Sequence, residues 1–199
     1  MPEYLFSPWG IVAVVSLLAL LLVVPVSIYL RRAADARRVQ MLVEKYSSSM
    51  IKDAVIPDGI DGFAFADYLM RIGNSVHVLN VESKKGYIFG APNIDEWTCI
   101  ENKRTEKFMN PLKRATLFAQ QCKHIGECDN VGVHVLFGRE SKFPKGVPEG
   151  VIRMAEFESS LAVLQNAAQD QGSDQGDDQV WMKLVATTQS AKDQVDAEL

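Results

Sequence analysis

The longest uninterrupted apolar stretch of this chain lies close to its start. Residues 9–30 (WGIVAVVSLLALLLVVPVSIYL) contain no charged side chain, and Arg31 and Arg32 follow at once. About 20 apolar residues are enough for a helix to cross the hydrocarbon core of a bilayer. Because every backbone amide in lipid must be bonded within its own segment, the stretch is expected to be helical. The pattern therefore predicts a single transmembrane helix over residues 9–30.

The charges on either side of this stretch predict its orientation. Glu3 is the only charged residue before it, whereas residues 31–38 contain four arginines and one acid, Asp35. Flanking segments rich in Lys and Arg remain in the cytoplasm. A cleaved signal peptide is the alternative, but no basic segment precedes the apolar stretch. We expect a single-pass protein of the inner or plasma membrane, with its N-terminus outside and the following domain in the cytoplasm.

Two different hydrophobic periods follow the arginines. Residues 33–53 have apolar positions three and four apart, which predicts a helix leading from the membrane into the domain. Two runs rich in β-forming residues come next, FAFADYLMRI at 63–72 and SVHVLNVES at 75–83. Gly73-Asn74 between them suits a two-residue turn, so the two runs predict a β-hairpin.

The rest of the chain mixes helix and strand signals. Asn110-Pro111 places an N-cap residue before a proline at the first helical position, and the amphipathic helix 112–125 is predicted from it. The remaining predicted elements are strands over 86–90 (GYIFG), 98–104, 131–137 and 151–154, a helix over 156–168, an acidic linker over 169–179 and a short helix near 180–191.

These elements predict four segments and one fold class. The segments are the transmembrane helix 9–30, a basic helical juxtamembrane segment 31–56, a globular domain 57–168 and an acidic tail 169–199. The first three strands form a meander, and helices alternate with the later strands. The expected fold is an α/β sandwich of helices around one mixed sheet.

Net charge divides unevenly between the domain and the tail. The whole chain has a net charge of −4, and residues 170–199 contain seven acids and two lysines, so the residues before them are close to neutral. No strongly basic face indicates nucleic-acid binding, although a small local patch would suffice. The acidic tail is also a candidate binding segment for a protein partner.

Cysteines and histidines have patterns typical of core residues. Cys99, Cys122 and Cys128 are odd in number and form no CxxC pair, which fits small buried side chains in a reducing compartment. His77 and His134 lie inside apolar strands, where a histidine is more often packed with one hydrogen bond than a metal ligand.

The hairpin places four polar residues on one face. With a two-residue turn at Gly73-Asn74, Asp67 lies opposite Asn80, and Glu82 is one diagonal step further along. Because side chains alternate along a strand, Asp67, Asn80, Glu82 and Lys84 point to the same side. Two such carboxylates are close enough to share a Mg²⁺ ion, with the lysine positioning water or offsetting developing charge. The alternative is a solvated strand end with no chemistry.

A family resemblance favours the first interpretation. The segment from Ala66 to about Val151 resembles NERD, the nuclease-related domain of the PD-(D/E)xK nuclease-like superfamily. The matching pieces are Ala66-Asp67-Tyr68, Val81-Glu82-Ser83-Lys84, the GYIFG stretch 86–90, Trp97, Phe108, Asn110-Pro111-Leu112 and the late strand Val133–Phe137. The resemblance implies a restriction-endonuclease-like α/β core and Mg²⁺-dependent phosphodiester hydrolysis. It assigns metal binding to Asp67 and Glu82, and the catalytic triad to Asp67, Glu82 and Lys84.

Two alignments of the Glu-x-Lys strand remain open. Counting back from Gly86 without a gap puts Asn80 at the family's Glu position and Glu82 at its Lys position, which breaks the triad. Sliding by two residues restores the triad, and we prefer this alignment because the apolar-Glu-small-Lys order of residues 81–84 matches the family pattern better. Other departures are Tyr68 in place of a histidine, and Arg114 where the family often has a glutamine, for which Gln120 or Gln121 could substitute.

The sequence therefore leaves three functions to compare. The first is a membrane-anchored, Mg²⁺-dependent nuclease, DNA being the favoured substrate. The second is a catalytically degenerate nuclease fold that binds nucleic acid or protein at the membrane. The third is an unrelated membrane assembly factor that recruits a partner through its acidic tail. For the first two, the phosphate backbone is expected on the densest basic cluster: Lys103, Arg104, Lys107, Lys113 and Arg114.

Overall fold

The computed structural model describes residues 8–60, 62–169 and 176–198. The chain divides into two compact units, residues 1–42 and 43–199. Helix α1 (Pro8–Tyr46) extends across this division. Within the described residues, no helix is both long enough and apolar enough to cross a bilayer. Most side chains of residues 9–30 lie outside the described part, so the transmembrane helix, its orientation and the membrane location stay predictions.

The prediction of a helix over residues 33–53 is wrong in its last third. Helix α1 ends at Tyr46, where the backbone N–H and the hydroxyl of Ser47 both donate to the carbonyl oxygen of Val43, at 3.0 Å and 2.6 Å. Strand β1 (Ser49–Pro57) follows and pairs antiparallel with residues 63–71. The bonds of this ladder come from a distant segment, so the local spacing of apolar residues did not reveal the strand.

The first sheet contains five strands in the order β1-β2-β3-β7-β9. Strands β2 (Phe63–Ile72) and β3 (Ser75–Glu82) form the predicted hairpin, with Gly73 at φ 59° in its turn. Strands β7 (Val131–Phe137) and β9 (Val151–Arg153) add to it in parallel. The predicted strands 131–137 and 151–154 are thereby confirmed.

A second sheet, absent from the sequence prediction, has the order β6-β5-β4-β8. Its strands are β4 (Gly86–Phe89), β5 (Glu96–Glu101), β6 (Arg104–Met109) and β8 (Ser141–Lys142). The predicted three-stranded meander is wrong, because β4 leaves the hairpin's sheet. Gly86 has φ 85°, and a Cβ atom there would lie 2.3 Å from the carbonyl oxygen of Ile100. The fold is a mixed α/β fold with two mixed sheets.

The three remaining helices agree with the predicted order. Helices α2 (Pro111–Gly126) and α3 (Phe157–Gln169) confirm the predicted helices 112–125 and 156–168. Helix α4 (Gly176–Glu198) is longer at both ends than the predicted 180–191. Of the predicted acidic linker 169–179, residues 170–175 lie outside the described residues and residues 176–179 are helical.

Aromatic side chains join the two sheets. The Trp97 ring on β5 stacks on Phe137 of β7, with 6.1 Å between the ring centroids, and meets Phe108 of β6 edge-on at 6.2 Å. Phe118 of α2 and Leu184 of α4 are fully buried in the same core. Cys99 and Cys122 are buried, as predicted. This core fixes α2 and α4 against the sheet that contains the hairpin.

The NPL motif connects the second sheet to α2. The Asn110 side-chain carbonyl oxygen accepts from the N–H groups of Leu112 and Lys113 at 2.9 and 3.4 Å, so the side chain caps the helix. Its amide nitrogen donates to the carbonyl oxygens of the loop before β5, those of Ala91, Pro92 and Ile94. One buried side chain therefore fixes both the loop and the start of α2.

Candidate functional site

Asp67 lies where the β2–β3 ladder ends. Tyr68 pairs with Leu79 and Ile72 with Ser75, which is the register predicted from a two-residue turn. The backbone N–H of Asp67 donates to Oδ1 of Asn80 at 3.3 Å, and Oδ2 of Asp67 accepts from the N–H of Val81 at 2.7 Å. The cross-strand neighbour of this carboxylate is thus an amide, and one carboxylate oxygen is bonded to the backbone.

A second acidic residue stands opposite Asp67 in the register of the neighbouring strand. In the β1–β2 ladder Lys52 pairs with Tyr68 and Ala54 with Ala66, which puts Asp53 opposite Asp67. Asp53 has φ 51°, a left-handed conformation unusual for a residue in a strand. The sequence analysis missed this neighbour because residue 53 fell within a predicted helix.

Glu82 and Lys84, the other two members of the predicted triad, have different partners. Oε2 of Glu82 lies 4.0 Å from Nη2 of Arg114, and Oε1 accepts from the N–H of Ser83 at 3.0 Å. Strand β3 ends at Glu82, and the Lys84 ammonium forms an ion pair with Glu106 and lies 5.5 Å from the Phe108 ring centroid. The hydrogen bond to Glu106 raises the pKa of Lys84, so this side chain stays charged at neutral pH.

A groove of about 750 Å³ runs past Asp67, and we call it the Asp67 groove. Asn80 also lines it, whereas Glu82 and Lys84 are not among the described lining residues. Arg114 of α2 and Lys192 of α4 add positive charge, and Phe63 and Phe65 add aromatic rings. Its carboxylates are Asp53, Asp58, Asp67 and Asp196.

Two of these four carboxylates are bonded to backbone amides. Asp58 accepts from the N–H groups of Ile60 and Gly62 at 2.8 and 3.0 Å, and these bonds hold the pKa of its carboxyl below the usual value. Asp67 is bonded to Val81 as described above. Asp53 and Asp196 are exposed at the rim of the groove. These bonds orient the two carboxylates but remove no negative charge from the groove.

The two glutamines considered for the family position on α2 have different surroundings. Gln121 lines the Asp67 groove, and its amide nitrogen donates to the carbonyl oxygen of Asp58 at 3.0 Å. Gln120 instead lines a separate, mainly apolar pocket of about 520 Å³. Gln121 is thus the glutamine that shares a cavity with Asp67 and Arg114.

The five members of the predicted basic cluster have different partners, and their role in phosphate binding stays a prediction. Only Arg114 of its five members lines the Asp67 groove. Lys107 lies 3.4 Å from Glu96, and Lys113 forms an ion pair with Asp95. Lys103 and Arg104 form the exposed end of the β5–β6 hairpin, where both Asn102 and Lys103 have positive φ.

The donor set around Asp67 is small for a metal ion. Within the described residues, no group of three or more His, Cys, Asp or Glu side chains is placed to hold one. Mg²⁺ uses one or two carboxylates together with waters and phosphate oxygens. Asp53 and Asp67 both line the groove, whereas Glu82 lies beside Arg114. The predicted Mg²⁺ stays a prediction.

Several groove residues come from segments that sequence reasoning did not connect. Asp53 and Asp58 lie on β1 and in the loop after it, and Lys192 and Asp196 lie on the last turns of α4. No spacing in the sequence relates α4 to the hairpin. The contact arises because α4 packs against β1 and α2.

A comparison with known protein families identifies the same family that the sequence motifs indicated. The family model for the nuclease-related domain, NERD, matches residues 31–137, which is more than half of the chain. The matched range begins within α1 and ends with β7, so it includes Asp67, Asn80, Glu82 and Arg114. No curated protein and no solved structure matches the chain. The chain belongs to the NERD, or nuclease-related domain, family.

Proposed function

We propose that this protein is a nuclease-related module that binds nucleic acid without hydrolysing it. The observation that supports this most directly is the pairing of Asp67 with Asn80 across the hairpin. An amide replaces the second carboxylate at the position nearest to Asp67. Of the two alignments left open by the sequence, this geometry favours the one that places Asn80 at the family's Glu position.

The partners of Glu82 and Lys84 support the same conclusion. Hydrolysis by the predicted triad needs Glu82 to share a cation with Asp67 and Lys84 to reach the same scissile group. Glu82 lies beside a guanidinium, and Lys84 is paired with Glu106 on the second sheet. Either residue would have to exchange its partner before it could act on a phosphate at Asp67.

Mg²⁺-dependent phosphodiester hydrolysis is the second candidate function. It is favoured by the carboxylates of Asp53 and Asp67, which line the same groove, and by the raised pKa of Lys84. A lysine that stays protonated is suited to offset charge on a phosphorane, although not to remove a proton. This candidate keeps the catalytic roles that the family resemblance assigns to Asp67, Glu82 and Lys84.

Binding and cleavage assays on the full chain separate the two functions. Single- and double-stranded DNA and RNA would be incubated with the protein in EDTA, Mg²⁺ or Mn²⁺. Asp67→Asn and Glu82→Gln would be compared with Asp193→Asn, which removes an exposed carboxylate outside the groove. We expect binding without cleavage in all proteins. Metal-dependent cleavage that is lost in Asp67→Asn and kept in Asp193→Asn would overturn the proposal and establish the second candidate.

We propose further that residues 9–30 anchor the module to the inner or plasma membrane, with the domain in the cytoplasm. The support is the uncharged stretch followed by Arg31 and Arg32. Recruitment of a protein partner through the acidic tail is a separate proposal. Much of that tail is α4, whose Trp181 and Leu184 are buried in the domain, so its exposed face is the part available to a partner.

A further inference from the structure

Asn80 has a buried hydrogen-bond donor without an acceptor. The side chain is 1% exposed, and its Oδ1 accepts from the N–H of Asp67, which fixes the orientation of the amide. Its Nδ2 then makes no hydrogen bond within the described part of the chain. Leaving a buried N–H group unpaired destabilises the fold, so such a group indicates a missing acceptor.

The position of this donor shows where the acceptor would come from. Asn80 lines the Asp67 groove and is 1% exposed, so an acceptor from the groove reaches Nδ2 once the side chains that cover it shift. Thr188 has the other buried polar side-chain atom without a partner among the described residues, and it lies on α4 away from the groove lining. Of these two unpaired buried groups, the Asn80 amide is therefore the one that lies beside the groove.

The other groups of the groove indicate an oxygen anion attached to a flat, apolar group. The cations of the groove are Lys192 on α4 and Arg114 on α2, which also lies 4.0 Å from Glu82, and they stand beside the four carboxylates described above. Phe65 is 55% exposed and lines the same groove, two residues before Asp67. An exposed aromatic ring beside cationic side chains is the combination that binds single-stranded nucleic acid, because an unpaired base has a free face for stacking.

We propose that the Asp67 groove binds single-stranded nucleic acid, with a phosphodiester oxygen accepting from Nδ2 of Asn80 and an unpaired base stacked on Phe65. Arg114 and Lys192 supply the positive charge for the phosphates. The inference rests on the proposed nucleic-acid-binding function and specifies its ligand class. A base-paired duplex is excluded from this mode because its bases present no free face to Phe65.

The test measures binding of a fluorescein-labelled oligothymidylate to the full chain by fluorescence anisotropy in EDTA. Asn80→Asp keeps the oxygen that accepts from Asp67 but replaces the donor by a negatively charged oxygen, and we expect binding at least tenfold weaker. Phe65→Ala removes the stacking ring, and we expect roughly fivefold or greater weakening. Because Phe65 is exposed, its truncation tests the groove even if Asn80→Asp lowers the stability of the fold.

Matched controls make the test specific. Thr188→Val removes the other unpaired buried polar atom, and Tyr87→Ala removes an aromatic ring of similar exposure, 49%, outside the groove. Both controls should bind like the wild type. Unlabelled duplex, thymidine monophosphate and inorganic phosphate should compete more weakly than the unlabelled single strand.

The outcomes distinguish this inference from the function on which it rests. Weaker binding in both groove variants and in neither control supports the inference. Wild-type affinity in both groove variants, or a duplex that competes as well as the single strand, overturns it and leaves nucleic-acid binding elsewhere on the domain standing. Failure of the wild type to bind any DNA or RNA overturns the proposed function itself.

Discussion

Two histidines contact each other across the parallel β3–β7 ladder. Nδ1 of His77 lies 3.1 Å from Nε2 of His134, and the rings stack with 5.3 Å between their centroids. Gly132 lies opposite His77, and a Cβ atom there would be 2.3 Å from its Nδ1. Burial lowers the pKa of both histidines to about 4, and His134 further opposes protonation of His77. One neutral imidazole therefore donates to the other at pH 7.

This pair should make folding sensitive to mild acid. The folded pKa of about 4 lies below the ordinary 6.5, so the unfolded chain takes up protons first as the pH falls. The free energy of unfolding should therefore be highest above pH 6.5 and decrease between pH 6.5 and 4, by about 2 kcal/mol per histidine between pH 7.5 and 5.0. Urea unfolding of the full chain at the two pH values measures this decrease.

A double variant, His77→Gln with His134→Gln, isolates the contribution of the pair. It should lose most of the decrease, since glutamine can donate and accept without titrating. His124→Gln, at an exposed histidine on α2, should retain it. An unchanged pH dependence in the double variant would mean that other groups cause the loss of stability.

Gly90 is the second residue whose importance comes from close packing. A Cβ atom at this position would lie 2.1 Å from the Trp97 ring, which is fully buried and donates from Nε1 to the carbonyl oxygen of Ala91 at 3.0 Å. The last glycine of the GYIFG motif therefore leaves the space that the Trp97 indole occupies between the two sheets. The motif is structural at this position.

We expect Gly90→Ala to destabilise the domain by about 2 kcal/mol or more. The Trp97 ring packs between the two sheets and has no space into which it can shift away from an added methyl group. Gly138→Ala is the matched control, since no atom lies within 4 Å of a Cβ there, and its effect should stay within about 0.5 kcal/mol. Thermal unfolding of both variants tests this. Equal melting temperatures for Gly90→Ala and Gly138→Ala would show that the Trp97 ring can shift to accommodate the added methyl group.

At the scale of elements, α4 connects the tail of the chain to the candidate site. Its buried residues Trp181, Leu184, Thr188 and Ala191 recur three and four positions apart, which is the spacing of one helix face. The Lys183 ammonium forms an ion pair of 2.9 Å with Glu127, which connects α4 to the C-terminal end of α2. This packing brings the last turns of α4 to the rim of the Asp67 groove.

The two charges that α4 contributes to the groove should have opposite effects on nucleic-acid binding. Lys192→Ala removes a cation and should weaken oligonucleotide binding several-fold, with a smaller dependence on salt. Asp196→Asn removes a rim carboxylate that repels phosphate, and binding should tighten. Anisotropy titrations at low and moderate salt measure both changes. Asp193→Asn, on the same helix outside the groove lining, should change neither.

Weakening in both α4 variants would contradict a purely electrostatic contribution. It would indicate instead that the end of α4 shapes the groove. An Asp196→Asn protein that binds like the wild type would place the phosphates far from this rim.

At the scale of the whole molecule, the predicted arrangement is an anchor joined to a nucleic-acid-binding module. Full-length protein should therefore fractionate with membranes and resist extraction by alkaline carbonate. Ala19→Arg with Leu20→Arg places two charges in the middle of residues 9–30, each costing about 2.5–3.5 kcal/mol at a helix centre. This variant should move to the soluble fraction, whereas Leu20→Ile should not.

Protease added to intact cells tests the orientation. The module should be protected if the N-terminus is outside and the domain is in the cytoplasm. Wild-type protein in the soluble fraction would overturn the anchor. A membrane-bound protein whose domain is digested would overturn the orientation alone.

Features that depend on neighbouring residues could be predicted from the sequence alone. The hairpin register followed from Gly73-Asn74, because a two-residue turn leaves one pairing for the flanking strands. The start of α2 followed from Asn110-Pro111, since a cap and its helix are adjacent in the chain. The family could be recognised because its motifs are short and local. The alternation along β2 and β3 likewise predicted that Asp67 lies opposite Asn80.

The set of groups that share the candidate site depends instead on tertiary packing. Strand β1 is stabilised by pairing with β2, so local periodicity did not reveal it. The predicted strand 86–90 is confirmed as β4, but local periodicity could not show that it joins a second sheet. Lys84 pairs with Glu106 on that second sheet, while α4 brings Lys192 to the groove of Asp67 across more than 100 residues of chain. Such contacts are selected by burial and charge over the whole fold, and no spacing in the sequence encodes them. The partners of Glu82 and Lys84 and the residues that line the Asp67 groove therefore depended on the packing.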